Sequence, residues 1–524
     1  MNHVVVYDST LRDGAQAQGV SFTVEDKLKI VQRLDELGVG YIEAGNPGSN
    51  PKDLEFFERV SALKLKHAKI IAFGSTRKVG TKAAEDRNLQ SLLSANTFAV
   101  AIFGKSWDYQ VTDILRTTLD ENLNMIADTV AYLVSQGKEV VFDAEHFFDG
   151  YKANESYAFA TLQAAADAGA TVLCLCDTNG GTFPDEVSEI TKKVVKRFGV
   201  QVGIHCHNDC EMAVANSVAA VQAGATQVQG TINGIGERCG NANLCAIIPN
   251  LQLKLGLNCI PQANIAELTS TARYVNEIAN MPFNEKAPYV GNDAFSHKGG
   301  MHIDAVSKNP ISYEHINPEK VGNVRHILVS EVAGRTALLA KINAVDATLN
   351  KDSAETKRVL EHLKALEHEG YQFESAENSF DLLVHRLLGK YQPFFVLKEY
   401  KVSIHEPALD GVNSAVTIKI AVGEQEETTT AEGDGPVNAL DKAVRKALER
   451  FYPAIRDVKL IDYKVRVLDS DNATAAKVRV LIESADQYES WATVGVSTDI
   501  IDASWRAMLD AIEYKLMRDS QKKH

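Results

Sequence analysis

Cysteine, basic charge and long apolar runs are what this chain has little of. Its 7 cysteines, Cys174, Cys176, Cys206, Cys210, Cys239, Cys245 and Cys259, are odd in number, confined to the first half, and contain no CxxC pair at zinc-site spacing. That excludes a disulfide framework or a structural zinc ribbon and leaves reduced, mostly buried thiols of a cytoplasmic protein as the expectation. Lys and Arg number 55 against 69 Asp and Glu, a net charge of −14 with no offsetting basic patch, which argues against a nucleic-acid or anionic-membrane surface. No apolar run approaches the ~20 residues that cross a bilayer. The chain opens directly on the strand-like run HVVVY, so no secretory signal is expected. What remains, 524 residues at 45% hydrophobic and 24% charged, is a soluble globular protein of two or three domains.

Between residue 3 and about 260 one pattern recurs: an amphipathic run, a glycine, then a short β-branched run. ELGVGYIEAG, SQGKEVVFDAE, DAGATVLCLCDT, RFGVQVGIHCH and QAGATQVQGTING all follow it. A glycine just past a helix end supplies the left-handed residue that stops the helix. The first helix shows the other half of the signal. Thr23 and Asp26 form a capping-box start, and Val24, Leu28, Val31 and Leu34 share one face. About eight strands are predicted, near residues 3–7, 40–44, 69–73, 98–103, 139–143, 171–176, 202–206 and 226–231. A doubly wound sheet shows the same alternation, but eight strands over this length favour a (β/α)8 barrel, here residues 1–262.

After residue 262 the alternation stops. A helix over 264–281, a loop-rich stretch over 282–325 containing FSHKGGMHIDA, and helical patterns from 328 to about 390 form a linker region, 263–394. From 395 to 524 the texture is α+β, with long alternating strands (EYKVSIHE, SAVTIKIAVG) and two helices related by a shift of 64 residues: Asn438, Ala439, Ala443, Ala447, Leu448 and Glu449 fall opposite Asp502, Ala503, Ala507, Ala511, Ile512 and Glu513. A duplicated strand–strand–helix unit with no reactive constellation suits binding or regulation.

Barrel enzymes work at the C-terminal ends of their strands. The polar residues there are Arg12 and Asp13 after strand one, Asp143, Glu145 and His146 after strand five, Asp177, Thr178 and Asn179 after strand six, His205 and His207 at strand seven, and Glu237, Arg238 and Asn241 after strand eight. Residues two apart on a strand face the same way, so HxH delivers two imidazoles to one place. Such a pair with an oxygen ligand suits zinc, manganese, cobalt or iron better than calcium, although a pair of polar loop residues would read the same. Strands one and eight flank each other in a closed barrel beside strand seven, so Asp13 and Asn241 could complete a set of two nitrogens, a carboxylate and an amide oxygen.

Taken together, DSTLRDGAQ, GIHCHND and GIGERCGNANL resemble the metal-dependent acyl-CoA-condensing family of 2-isopropylmalate, homocitrate and citramalate synthases. FSHKGGMHIDA is similar to that family's linker motif, and GDGPVNALDKAV with WATVGVSTDIIDASWRAMLDAIEYKL to its C-terminal regulatory domain. The likeness therefore spans nearly the whole chain. Two loops, GYIEAGNPGSNPKD and VFDAEHFFDGYKAN, bring it closest to the citramalate-forming branch.

The resemblance implies a Claisen-type condensation of acetyl-CoA with pyruvate and hydrolysis of the thioester, on the route to isoleucine. It implies a divalent ion (zinc, manganese, cobalt or magnesium) on Asp13, His205, His207 and Asn241. Arg12 would stabilise the developing oxyanion, the alternative being a structural pair with a neighbouring carboxylate. Thr178 would bind the pyruvate carboxylate and Glu145 would orient the acetyl group or a water. His302 would be the base, with Tyr313 beside it and His297 as second choice. By the family pattern this segment reaches the partner's active site, making an obligate homodimer. A small apolar pocket near Phe73, Phe103 and Phe142 would hold the pyruvate methyl, and a branched-chain amino acid, isoleucine first, would inhibit through the C-terminal module. The rival functions are a 2-isopropylmalate synthase using 2-oxoisovalerate, an acyl-CoA lyase or aldolase, and an inactive amino-acid sensor.

Overall fold

The computed structural model describes residues 3–48, 51–327, 339, 342–343, 345–350, 352–409, 412–468, 476–486 and 489–521. Eight parallel strands, β1 (Val5–Asp8), β2 (Tyr41–Glu43), β3 (Lys69–Ser75), β4 (Ala99–Lys105), β5 (Glu139–Glu145), β6 (Val172–Asp177), β7 (Gln201–Cys206) and β8 (Gln227–Gly230), close into a barrel in sequence order. Closure is made by β1 against β8, with Val5 opposite Gln227 and Asp8 opposite Gly230. The eight-stranded barrel is thus the observed architecture, and each predicted strand lies within a few residues of its place. Helix α1 (Val24–Leu37) carries the predicted capping box and ends on Gly38 at φ 97°. Its buried Val24, Val31 and Leu34 face the barrel, with Leu28 packed at the margin.

Two layers of core follow from strand alternation. Side chains pointing outward, such as Val6, Ile42, Ile102, Phe142 and Ile204, pack against the helical ring. Those pointing inward, Tyr7, Ile71, Ala101, Val141, Cys174 and Cys176 among them, fill the lumen. Phe142 therefore belongs to the barrel–helix layer and not to a substrate pocket. Its neighbours Val141 and Asp143 take the inward positions. All seven cysteines are free, five buried and two (Cys210, Cys239) exposed, and burial pushes the Cys245 and Cys259 thiols up to about 12.

The helix expected over 264–281 enters through a 3-10 turn, Gln262–Glu267, after Pro261 and becomes α-helical over Leu268–Ile278. The chain forms two compact units, the first comprising residues 1–295 and 316–325, the second 296–315 and 326–524. In the second, β9 (Ser296–His297) pairs with β10 (His326–Ile327). The stretch expected to be loop-rich contains a nine-residue helix, Gly300–Lys308. Two glycines at its start masked the pattern of its buried Ile303 and Val306. The helical reading over 328–338 lies outside the described residues; beyond it stand helices Ala354–Glu369 and Glu377–Leu387.

The duplicated module has three strands per copy, not two. β11 (Val396–Leu409), β12 (Val412–Val422) and β13 (Gln425–Gly433) form one antiparallel meander, and β14 (Lys459–Val467), β15 (Val478–Ala485) and β16 (Ser490–Ser497) the other. The third strand of the first copy, QEETTTAEG, is mostly solvent-facing, so its polar composition hid it. Helices Pro436–Leu448 and Ile500–Gln521 close the copies. Ala439, Ala443 and Ala447 are buried, as are their counterparts Ala503, Ala507 and Ala511. The pseudo-symmetry extends to a hydrogen bond: Thr429 Oγ1 donates to the Ala443 carbonyl (2.8 Å) and Thr493 Oγ1 to the Ala507 carbonyl (2.7 Å).

Candidate active site

The C-terminal mouth of the barrel holds a cavity of about 290 Å³ whose walls include Arg12, Asp13, Glu145, Thr178, His205 and His207. Six of the residues singled out from sequence therefore share one wall system, and Asn241 adjoins it through Asp13. Strand β7 ends at Cys206, so His205 is its last inward-facing residue. His207 follows two positions on, held by an isolated bridge to Asn241 from the loop after β8.

Asp13 is the centre of the set. Its Oδ2 lies 3.8 Å from His205 Nε2 and 3.9 Å from His207 Nε2, and one ligand atom from each of the three residues falls within 4.8 Å of the others. Metal–ligand bonds of ~2.0–2.2 Å bring ligand atoms to roughly 3–3.5 Å of one another, so an inward movement of less than ~1 Å closes the trio on an ion. Two observations fit such an ion. Among the described residues the buried Asn241 Oδ1 has no hydrogen-bond partner, a costly arrangement unless something else satisfies it. Burial holds the His207 imidazole near 4, well below its usual value, and the His205 imidazole beside it acts the same way; a neutral ring keeps the lone pair a metal needs. Burial alone would raise the Asp13 carboxyl, but Arg12, both imidazoles and the Asn241 amide overcome it and hold Asp13 far below the usual carboxylate range. Asn241 donates through Nδ2 to Asp13 Oδ1 (2.8 Å) and to the Ile235 carbonyl (3.3 Å). It anchors Asp13 with its nitrogen and leaves its oxygen as the unsatisfied atom.

Arg12 is clamped from three sides. Its Nη1 donates to Asp13 Oδ2 (2.8 Å), its Nε to Glu43 Oε2 (2.5 Å), and its guanidinium lies 3.8 Å over the Phe73 ring. Phe73 stacks in turn on Phe103 (5.3 Å, 19°), and these two rings form the apolar part of the cavity. Glu43 was not singled out from sequence. It is fully buried on the three-residue strand β2 and also accepts from Tyr7 Oη (2.7 Å) and Ser9 Oγ. Arg12 is thus both paired with carboxylates and a wall of the cavity.

Glu145 is paired with Lys105 (2.5 Å) at the end of β4, a second partner that sequence reasoning missed. Thr178 Oγ1 accepts from the His146 backbone N–H (2.8 Å), which leaves its hydroxyl proton for a ligand. Arg238 forks onto Asp209 (2.8 and 3.0 Å) and donates to the Thr178 carbonyl (2.7 Å), which ties together the loops after β6, β7 and β8. Asp177 serves likewise, accepting from the backbone and hydroxyl of Thr182. Beneath the mouth, Asp143, Cys174 and Cys176 form a second buried cluster. Burial raises the Cys174 thiol well above its ordinary value.

His302 and Tyr313 lie in the second unit, where their rings stack at 4.0 Å and 24°. His297, also there, is buried against Glu314 (Nε2 to Oε1, 3.2 Å). Of the three, His302 is the histidine stacked on a partly exposed tyrosine, and His297 is a buried residue held against a buried carboxyl group.

Comparison with known proteins covers the chain from end to end. An HMGL-like family model matches residues 3–275, a homocitrate synthase post-HMGL domain-like model residues 289–371, and a LeuA allosteric (dimerisation) domain model residues 374–516. The chain is 54% identical over 520 residues to the (R)-citramalate synthase of Aquifex aeolicus (strain VF5), covering 99% of this chain and 98% of that one. It is 51% identical over 522 residues to the (R)-citramalate synthase of Geobacter sulfurreducens (strain ATCC 51573 / DSM 12127 / PCA), with 99% of each covered. To that of Synechocystis sp. (strain ATCC 27184 / PCC 6803 / Kazusa) it is 52% identical over 523 residues, covering 98% and 96%. On matches of this extent the chain belongs to the HMGL-like family and, within it, to the (R)-citramalate synthases.

Proposed function

We propose that the chain condenses acetyl-CoA with pyruvate and hydrolyses the resulting thioester to (R)-citramalate and CoA, using a divalent ion. The observation that carries this is the convergence of Asp13, His205 and His207 within 4.8 Å, in a chain 54% identical to an (R)-citramalate synthase. Asp13, His205 and His207 would hold the ion, with the Asn241 oxygen beside them; two imidazoles favour zinc, manganese or cobalt over magnesium. When bound, such an ion supplies Lewis acidity toward the ketone of a 2-oxo acid.

The protein's own groups have separable tasks. The Thr178 hydroxyl donates to the pyruvate carboxylate and sets its orientation. His302, next to Tyr313, takes a proton from the acetyl methyl group. The new carbon–carbon bond joins that methyl carbon to the keto carbon, and the negative charge arriving on the keto oxygen is met by Arg12. Glu145, held by Lys105, orients the acetyl group or the water that splits the thioester. At about 290 Å³ the cavity lies at the small end of ligand pockets, which run from ~300 to 1,000 Å³, and suits a small oxo acid with an acyl end. The Phe73–Phe103 wall would border the pyruvate methyl, where each added methylene changes affinity by only ~1–3 kcal/mol.

On this reading residues 1–262 are the catalytic barrel, 263–394 a linker that brings His302 and Tyr313 to the active site of the partner in a homodimer, and 395–524 a regulatory module. The LeuA allosteric (dimerisation) domain match and the internal duplication support the last assignment, with isoleucine, the amino acid downstream of citramalate, as the inhibitor. Among the described residues no helix is long and apolar enough to cross a membrane, and the cytoplasm is the proposed compartment. The test is release of CoA thiol from acetyl-CoA with pyruvate and with 2-oxoisovalerate. Pyruvate is expected to give the higher kcat/KM by at least one order of magnitude. A preference for 2-oxoisovalerate would make the chain an isopropylmalate synthase, and thiol release with neither acid would make it a sensor.

A further inference from the structure

Below the proposed metal ligands, three polar side chains from three strands form a chain across the barrel lumen. His205 Nδ1 lies 3.0 Å from Gln229 Oε1, and Gln229 Nε2 donates to Asp143 Oδ1 at 3.0 Å and, more weakly, toward Gln227 Oε1 at 3.4 Å. Gln229 is fully buried and faces inward from β8; Asp143 faces inward from β5. Neither has a role in the reaction described above. We propose that Gln229 is a positioning residue that sets the tautomer of His205, with Asp143 setting the orientation of Gln229.

An amide has one oxygen and one nitrogen end, and once the Asp143 carboxyl is ionised, which burial and then Glu43 delay to about 7, two acceptors, Asp143 Oδ1 and Gln227 Oε1, sit on the same side. The nitrogen must turn toward them, and the oxygen is left for His205. An oxygen can only accept, so Nδ1 of His205 carries the hydrogen. In a neutral imidazole the other nitrogen, Nε2, then carries the lone pair. That atom is the one 3.8 Å from Asp13 Oδ2. The opposite tautomer would put a hydrogen on Nε2 and close the site to any cation. A partner on the far nitrogen of a ligand histidine is commonly worth 10–100-fold in metal affinity. Among the described residues His207 Nδ1 has no such partner, so this orienting effect falls on His205.

This inference rests on the reading of His205 as a metal ligand, and its test separates the two. Zinc is titrated into the metal-free full-length protein against a chromophoric chelator, for the wild type, Gln229→Leu and Gln229→Glu. The expected result is zinc binding by the wild type, a 10–100-fold weaker dissociation constant for Gln229→Leu, and recovery to within a few-fold in Gln229→Glu, which keeps an acceptor facing Nδ1. A merely structural role would not distinguish those variants at equal thermal stability. Wild-type zinc binding matched within twofold by folded Gln229→Leu overturns the inference alone; a wild type that binds no zinc overturns the metal reading and this inference with it. If Gln229→Leu fails to fold, ¹⁵N-imidazole NMR of the wild type decides: His205 protonated on Nδ1 supports the proposal, and protonation on Nε2 refutes it.

Discussion

Replacing Glu43 by glutamine probes how Arg12 is held. Glu43 Oε2 takes two donors, Ser9 Oγ and Arg12 Nε, while Oε1 takes Tyr7 Oη. A glutamine can keep its oxygen at the Oε2 place and turn its NH2 toward Tyr7, whose hydroxyl can accept. Shape and most hydrogen bonds survive, and what is lost is the negative charge on Arg12. A hydrogen bond to a charged group is worth ~1.5–3 kcal/mol, so the guanidinium, still tied to Asp13, should lose that much of its fixed placement. If the placement matters only when charge develops on the substrate, the loss appears in kcat. The expected fall is ~10–150-fold, with KM for acetyl-CoA changed far less, measured by thiol release at saturating metal. Glu43→Ala, which leaves three buried donors without an acceptor, should also unfold several degrees lower. A Glu43→Gln enzyme with kcat within threefold of wild type would refute the idea that Glu43 holds Arg12 for catalysis.

Other substitutions test neighbouring parts of the structure. A Cβ at Gly236 would stand 2.1 Å from Asn241 Nδ2 and 3.2 Å from Asp13 Oδ1, so Gly236→Ala should weaken metal binding at least ~10-fold, by displacing Asn241 from Asp13; unchanged zinc affinity would count against that packing. Burial raises the Asp8 carboxyl to about 7, so the folded protein keeps a proton that the unfolded chain releases near 4. The unfolded state therefore binds fewer protons across that window, and Asp8 costs stability progressively from about pH 4 to pH 7, up to about 4 kcal/mol. Asp8→Asn should flatten the stability–pH curve between about pH 4 and pH 7 in urea unfolding, and an unaltered slope there would exclude Asp8 as its source. Thr429→Val and Thr493→Val each remove the equivalent buried hydrogen bond of the duplicated module and should each cost about 1 kcal/mol; a loss in one only would break the proposed equivalence. Isoleucine inhibition should disappear on removal of residues after 395, and inhibition that survives would move the effector site elsewhere.

The barrel was legible because its signals are local and repeated. Five helices end at or just before a glycine (Gly38, Gly137, Gly169, Gly199 and Gly224) and a short apolar strand follows each, so counting sufficed. The parts of the site that could be read were those on strand ends with distinctive chemistry: an Arg–Asp pair after β1 and two histidines on one side of β7. What sequence could not show were polar residues inside strands. Glu43 sits in YIE and Gln229 in QVQG, and a polar residue in a strand is ordinarily taken as facing solvent. In a closed barrel the inward face becomes the floor of the site, and only closure reveals that Glu43 and Gln229 belong to it beside Asp143. Phe142 failed for the same reason reversed, being one position out of phase with the lumen. The third strand of the first regulatory copy escaped because an edge strand covered on one face by a helix needs few apolar residues. Its Thr429 carries the buried contact.

The most direct measurement is X-ray absorption at the zinc edge on the full-length protein reconstituted with one equivalent of zinc, beside His205→Ala and His207→Ala. The expected spectrum has two imidazole nitrogens and oxygen at ~2.0–2.2 Å, with imidazole scattering reduced in each variant and thiol release reduced alongside it. A spectrum without imidazole, or full activity from a protein that retains no divalent ion, would contradict the account.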